Sequence, residues 1–180
     1  MISESVLVKK LQSKETVESA FKELITLYKE RLYWHIRHIV KSHDDADDVL
    51  QNTFIKIYKN INNFKGDSKL FSWMYRIATN EAITLINKNA KRLQITDEET
   101  QTIAINNLAA DVYFEGEEIQ LKLQKAIAML PQKQQLVFNM KYFQALKFKE
   151  ISEILETSEG ALKASYHIAV KKIEDYLTQD

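Results

Sequence analysis

Trp73, Arg76 and Asn80 stand at i, i+3 and i+7, one stripe of a helix, with Phe64, Lys65 and Lys69 at the turn before it. Aromatic rings interleaved with Lys, Arg and Asn suit unpaired nucleic acid, because bases stack on the rings for about 1–3 kcal/mol each while cations follow the backbone. Opening a duplex base costs a few kcal/mol, so two or three such contacts offset the opening of a short segment. The same residue types also serve in a helical core, with Trp73 and Phe64 turned inward. Spacing alone leaves both readings open.

A second constellation lies near the C-terminus. Lys163, His167 and Lys171 fall at i, i+4 and i+8 on one helical face, and Leu162, Tyr166, Ala169 and Ile173 share the other. A helix entering the major groove needs this division, an apolar face docked on a partner helix and an outward row of short and basic side chains. Phe148–Leu155, a turn at Glu156-Thr157 and Ser158 as N-cap complete a helix-turn-helix pattern. Lys141, Lys147 and Lys149 flank it and suit sequence-blind phosphate contacts. An ordinary amphipathic helix would look similar.

Other chemistry is thinly supplied. His35 and His38 stand at i, i+3, and His43 lies beside Asp44–Asp48, but no compact ligand set with supporting partners accompanies them. No metal or other cofactor is expected. The carboxylate pairs sit at acidic helix starts or in a connecting segment, no nucleophile adjoins a base, and cysteine is absent. Neither catalysis nor a small-molecule substrate is expected.

The elements that position these residues are helical. The chain has 180 residues, 45% hydrophobic and 28% charged, with three glycines and one proline. Sandwiches and barrels need many tight turns, so this stock argues for an all-α protein. Phe21, Leu24, Ile25, Tyr28, Leu32 and Ile36 step at helical spacing, as do Leu50, Phe54, Ile57 and Ile61 behind the acidic run Asp44–Asp48, which suits a helix N-terminus. A third helix is predicted from about Ser68 to Ala90, with Leu70, Met74, Ile77 and Leu85 inward, after a turn carrying Gly66. Ile119–Leu130 reads as a helix stopped by Pro131, followed by Gln132–Tyr142, Phe148–Leu155 and Ser158–Leu177. No apolar run reaches membrane-spanning length and the first residues do not read as a signal peptide, so a cytoplasmic location is expected.

Formal charge is zero overall but arranged in blocks. Residues 53–92 carry eight basic and two acidic side chains, residues 93–118 carry seven acids and no Lys or Arg, and residues 119–180 carry nine basic and seven acidic. The expected organisation is a helical domain over 15–92, an acidic linker over 93–118 and a helix-turn-helix domain over 119–180. Two cationic modules around an anionic connector suit a partner that is itself a polyanion.

Asp48-Val-Leu-Gln-Asn-Thr-Phe54-Ile-Lys-Ile-Tyr, Asn63-Phe-Lys-Gly-Asp-Ser68 and Trp73-Met-Tyr-Arg-Ile-Ala-Thr-Asn80 resemble the first domain of bacterial extracytoplasmic-function (ECF) sigma factors. Leu130-Pro131, Phe148-Lys-Glu-Ile-Ser-Glu-Ile-Leu and Thr157-Ser-Glu-Gly-Ala-Leu-Lys163-Ala-Ser-Tyr-His167 resemble the second, and the Gly160–His167 string is similar to Bacteroidetes versions of it. The likeness spans roughly residues 20–92 and 119–177, in the family's order.

The resemblance implies a non-catalytic protein that binds RNA polymerase core, recognises a promoter and opens it. It assigns Asp45, Asp48, Val49, Gln51, Asn52 and Ile55 to docking on the clamp helices of the largest polymerase subunit. It assigns Phe64, Lys65, Ser68, Lys69, Trp73, Arg76 and Asn80 to the melted −10 element, with one base flipped into the loop. Lys141, Lys163, Ala164, His167 and Lys171 go with the −35 duplex, and the C-terminal domain with the flap of the second-largest subunit. An anti-sigma factor is the further partner implied. The second helix of the helix-turn-helix departs from the family in arginine: it offers Lys163, Lys171 and Lys172, with Ile168 and Val170 where basic residues are common. Lysine lacks arginine's planar bidentate contact to guanine, so weaker or more shape-based −35 reading is expected. The alternative is a helix-turn-helix regulator with a helical sensing or dimerisation domain, for which Trp73 and Arg76 need no exposure. A helical interaction module without DNA contact is a third possibility, indifferent to loss of Lys163 and Lys171.

Overall fold

In the computed structural model, residues 3–109 and 118–178 are described; they form nine α-helices and no strand. The first body is α1 (Glu4–Leu11), α2 (Val17–Val40), α3 (His43–Asn60) and α4 (Leu70–Leu93), with a 3₁₀ turn over Ile61–Asn63. The stripe read from α2 delivers Leu24, Leu32 and Ile36 to complete burial, where they meet Ala46, Leu50 and Ile57 of α3 and Leu70, Met74 and Ala78 of α4. The acidic run opens α3 as expected, with Ser42 Oγ accepting from the Asp45 amide at 3.4 Å. Ile77 and Leu85 lie at the edge of this core rather than inside it.

The second body is α6 (Glu118–Ala128), α7 (Gln132–Tyr142), α8 (Phe148–Leu155) and α9 (Glu159–Thr178). Ile127, Leu130, Phe138, Ala169 and Ile173 form its inner cluster. Pro131 occupies the N-cap of α7 with φ −55°, where its missing N–H costs nothing.

Two elements differ from the sequence reading. α1, ahead of residue 15, packs on α2 through Leu7 and Leu11, both buried. Within the segment read as a linker, Asp97–Ala109 is helical (α5), and Leu108 is buried. A reciprocal cap starts α5: the Glu99 amide donates to Thr96 Oγ1 at 3.2 Å, and Glu99 Oε2 accepts from the Thr96 amide at 2.6 Å. The acids Asp111, Glu115 and Glu117 of that segment lie outside the described residues.

The two bodies are joined by a common apolar layer. Leu136, Met140, Leu146, Ile151 and Ile154 continue the first body's core without a break, and α8 lies along α4. At its far edge stands His35, fully buried. Its Nδ1 accepts from Gln144 Nε2 at 2.9 Å, so the ring proton is on Nε2, which donates to Thr79 Oγ1 at 2.8 Å. Burial holds this imidazole neutral, with its pKa lowered to about 3. His38, its ring stacked on Phe143, is lowered to about 4 for the same reason.

Candidate nucleic-acid interface

α8 and α9 make the helix-turn-helix. Glu156 closes α8 in the left-handed region at φ +52°, and Ser158 Oγ accepts from the Ala161 amide at 3.4 Å to start α9. Leu162, Ala169 and Ile173 are buried, Tyr166 is half-buried between Phe138 and Phe148, and Lys163, Ala164, His167, Ile168 and Lys171 form a continuous exposed row. The division that groove entry requires is therefore present. Lys141 is placed differently. It is half-buried, donates to the Leu146 carbonyl at 3.1 Å and lies 5.1 Å from the Phe148 ring centre, so its amine holds the α7–α8 connection. Its amine is therefore already partnered within the protein.

The aromatic–cationic stripe occupies the start of α4 and the loop before it. Lys65, Lys69 and Asn80 are exposed, and Ser68, Trp73 and Arg76 are half-buried. Phe64 is turned inward at 8% exposure, its ring 5.2 Å from that of Trp73. Phe64 therefore supports Trp73 from beneath and is no stacking platform, because its ring fills the gap between the loop and the core. Gly66 takes φ +82°, a conformation that side chains rarely adopt.

Much of the stripe is engaged by α8. Lys69 Nζ meets Glu150 Oε1 at 2.8 Å, Ser72 Oγ donates to Glu153 Oε2 at 2.8 Å, and Arg76 donates to the Glu153 carbonyl and to Glu156 Oε1 at 2.8 Å. Glu150 also accepts from the Lys147 amide at 3.0 Å. The Lys69 ammonium and this cap together lower the Glu150 pKa, while Glu150 raises that of Lys69. Neither Ser72 nor the Glu150–Glu153–Glu156 row was singled out from the sequence. Their i, i+3, i+6 spacing on a short amphipathic helix was the available signal.

On α3, Asp48, Gln51, Asn52 and Ile55 lie exposed along one face, with Asp45 half-buried at its head. Val49 is not part of that surface. It is 3% exposed and packs in the core, since i+1 from Asp48 points elsewhere on a helix. Beside this row is an open apolar hollow of Phe21, Ile25, Phe54 and Tyr58, with Ile55 46% and Tyr58 45% exposed. Helical spacing on α2 does not separate Phe21 and Ile25, which line this hollow, from Leu24, Leu32 and Ile36, which are buried.

Among the described residues no group of three or more His, Asp or Glu could hold a metal ion, and no helix is long and apolar enough to cross a membrane.

A helix-turn-helix body joined to a four-helix body with a cationic loop defines a class, and comparison with known proteins fixes the family. Residues 24–92 match the Sigma-70 region 2 family and residues 120–173 match the Sigma-70, region 4 family. The ECF RNA polymerase sigma factor SigW of Bacillus subtilis is 32% identical over 164 residues, covering 87% of this chain and 88% of that protein. The ECF RNA polymerase sigma-E factor of Haemophilus influenzae is 26% identical over 182 residues, covering 97% and 95%. The fold is shared with the sigma factor RpoE of Bartonella quintana, solved with the anti-sigma factor NepR (TM-score 0.69, 20% identity, 89% and 98% covered). It is also shared with CnrH, solved with the cytosolic domain of CnrY (TM-score 0.72, 18% identity, 98% of each chain covered). The chain belongs to the ECF sigma factors, which bind RNA polymerase core and direct it to promoters.

Proposed function

We propose that the two bodies divide promoter recognition between them. α9 presents Lys163, Ala164, His167 and Lys171 to the −35 duplex, and Lys65, Ser68, Lys69, Trp73, Arg76 and Asn80 receive the melted −10 strand. Asp45, Asp48, Gln51, Asn52 and Ile55 dock on the clamp helices of the polymerase, and the C-terminal body meets the flap. The protein works in the cytoplasm without catalysis of its own. A further partner is an anti-sigma factor, which masks these surfaces.

The observation that carries this reading is the cluster at the head of α4, where exposed Lys65 and Lys69 adjoin half-buried Trp73 and Arg76. In the arrangement described, Lys69 and Arg76 are held by α8. Strand capture therefore requires α8 to leave α4, and core polymerase supplies the separation by holding each body at its own site. Affinity for promoter DNA without core is then poor, because each module is modest in charge and gains from the other only at fixed spacing.

Transcription from mapped promoters by purified core with added protein tests the reading. Specific transcripts are expected with wild type, and Trp73→Ala is expected to abolish opening while leaving core binding intact. Failure of the protein to capture core at low salt would refute it.

A further inference from the structure

α1 lies outside both matched regions, yet its polar side chains hold the loop between α3 and α4 at both ends. Gln12, one residue past α1, reaches over the 3₁₀ turn, where Nε2 donates to the Ile61 carbonyl at 3.0 Å and to the Phe64 carbonyl at 2.9 Å. Glu4, in the first turn of α1, accepts from the Leu70 amide through Oε1 at 2.8 Å. Lys69, the N-cap residue of α4, offers that helix no side-chain cap. Glu4 supplies one from another element, with a carboxylate at the positive end of the helix. Leu7 and Leu11, 3% and 1% exposed, anchor α1 so that both polar groups are held in place.

Between these fixed ends the loop makes few contacts. Asn62, Asn63, Lys65, Gly66, Asp67 and Lys69 are exposed, and nothing lies within 4 Å of where a Cβ on Gly66 would stand. A loop without ladder partners loses conformational freedom when it grips a ligand, unless outside hydrogen bonds have fixed it beforehand. Gln12 and Glu4 provide those bonds to the carbonyls and amide that frame the loop.

We propose that α1 is a positioning element for promoter opening, with Gln12 and Glu4 fixing the loop so that it discriminates the one unpaired base it receives. This rests on the assignment of the loop to the −10 strand made above. Both side chains are exposed, so their replacement leaves the core untouched.

The test uses holoenzyme assembled from core and the full chain. Its ligands are single-stranded oligonucleotides spanning the −10 element of a promoter that the holoenzyme transcribes, with all four bases tried at each position. Wild type should show one position of sharp base preference. Gln12→Met and Glu4→Ala should reduce the preference at that position about tenfold, the effect of losing one or two ordinary hydrogen bonds that order the loop. Affinity for core and for −35 duplex should not change. Gln12→Lys and Glu4→Gln keep a donor and an acceptor at the right places and should restore most of the preference. The readout is a ratio between bases, so the charge added by lysine cancels from it.

Preference that survives both Gln12→Met and Glu4→Ala overturns the inference alone. Loss spread evenly over all positions, or a lowered melting temperature with no recovery in Gln12→Lys, also overturns it, since the role is then general stability. A wild-type holoenzyme with no discriminated base sinks the loop's assignment and this inference with it.

Discussion

Val49 and Gln51 stand two positions apart on α3 and face opposite ways, one into the core and one to solvent. Val49→Ala should cost about 1–3 kcal/mol through lost burial and a residual cavity, lowering the melting temperature by several degrees. Gln51→Ala and Asn52→Ala should leave stability within about 0.5 kcal/mol and weaken capture of core polymerase. Thermal melts alongside core pull-downs check both halves. Equal melting temperatures for all three variants would contradict the burial of Val49. On α9, Lys163 and Lys171 are exposed cations. Changing both to Gln should lower the slope of log affinity against log salt by about 2 for promoter duplex, since each neutralised phosphate contributes about 0.9. An unchanged slope would remove them from the DNA contact. Lys141 was indistinguishable from these by residue type. Only its carbonyl partner on Leu146 and the Phe148 ring set it apart.

α8 serves two surfaces at once. Its apolar residues Ile151 and Ile154 fill the layer against α4, while Glu150, Glu153 and Glu156 meet Lys69, Ser72 and Arg76. On the proposed assignment of the stripe to the −10 strand, this acidic row would compete with that strand's phosphates. Surface ion pairs are each worth only about 0–1 kcal/mol, so the row biases the closed arrangement and does not lock it. Changing Glu150 and Glu156 together to Gln should raise the free protein's affinity for single-stranded −10 oligonucleotide several-fold, read by fluorescence anisotropy. Unaltered affinity would mean that α8 and the strand do not compete. The helices α2, α3, α4 and α6–α9 were readable from apolar spacing and caps. α5 escaped because its seven-acid segment lacks an apolar stripe, although Thr96-x-x-Glu99 spells a capping box. α1 escaped because Leu7 and Leu11 are only a single i, i+4 pair.

Across the whole molecule, His35 and Lys41 are buried and His38 is half-buried where the bodies meet. His35, His38 and Lys41 have pKa values lowered to about 3, 4 and 7, all chiefly by burial. The unfolded chain binds these protons at higher pH than the folded one, so stability rises with pH wherever the two differ. For the histidines that window runs from their folded values up to about 6.5, and for Lys41 from about 7 up to about 10.5. Acidification from pH 6.5 to 4.5 should therefore lower stability, with an upper bound of about 1.4 kcal/mol per pH unit for each histidine. Because Gln144 and Phe143 of the second body contact these rings, separation of the bodies should accompany the loss. Urea midpoints and small-angle scattering across that range check it, and a flat profile would argue against buried neutral imidazoles. Lys41→Met should remove the alkaline part of the rise. Periodicity, the scarcity of glycine and proline, and the charge blocks by themselves determined that this chain is helical and which residues face outward on α9, because those properties follow from local spacing. Which cations remain free was decided only by the tertiary structure. Whether Lys69 or Arg76 faces solvent or a glutamate depends on a helix some eighty residues away, and no local pattern carries that information.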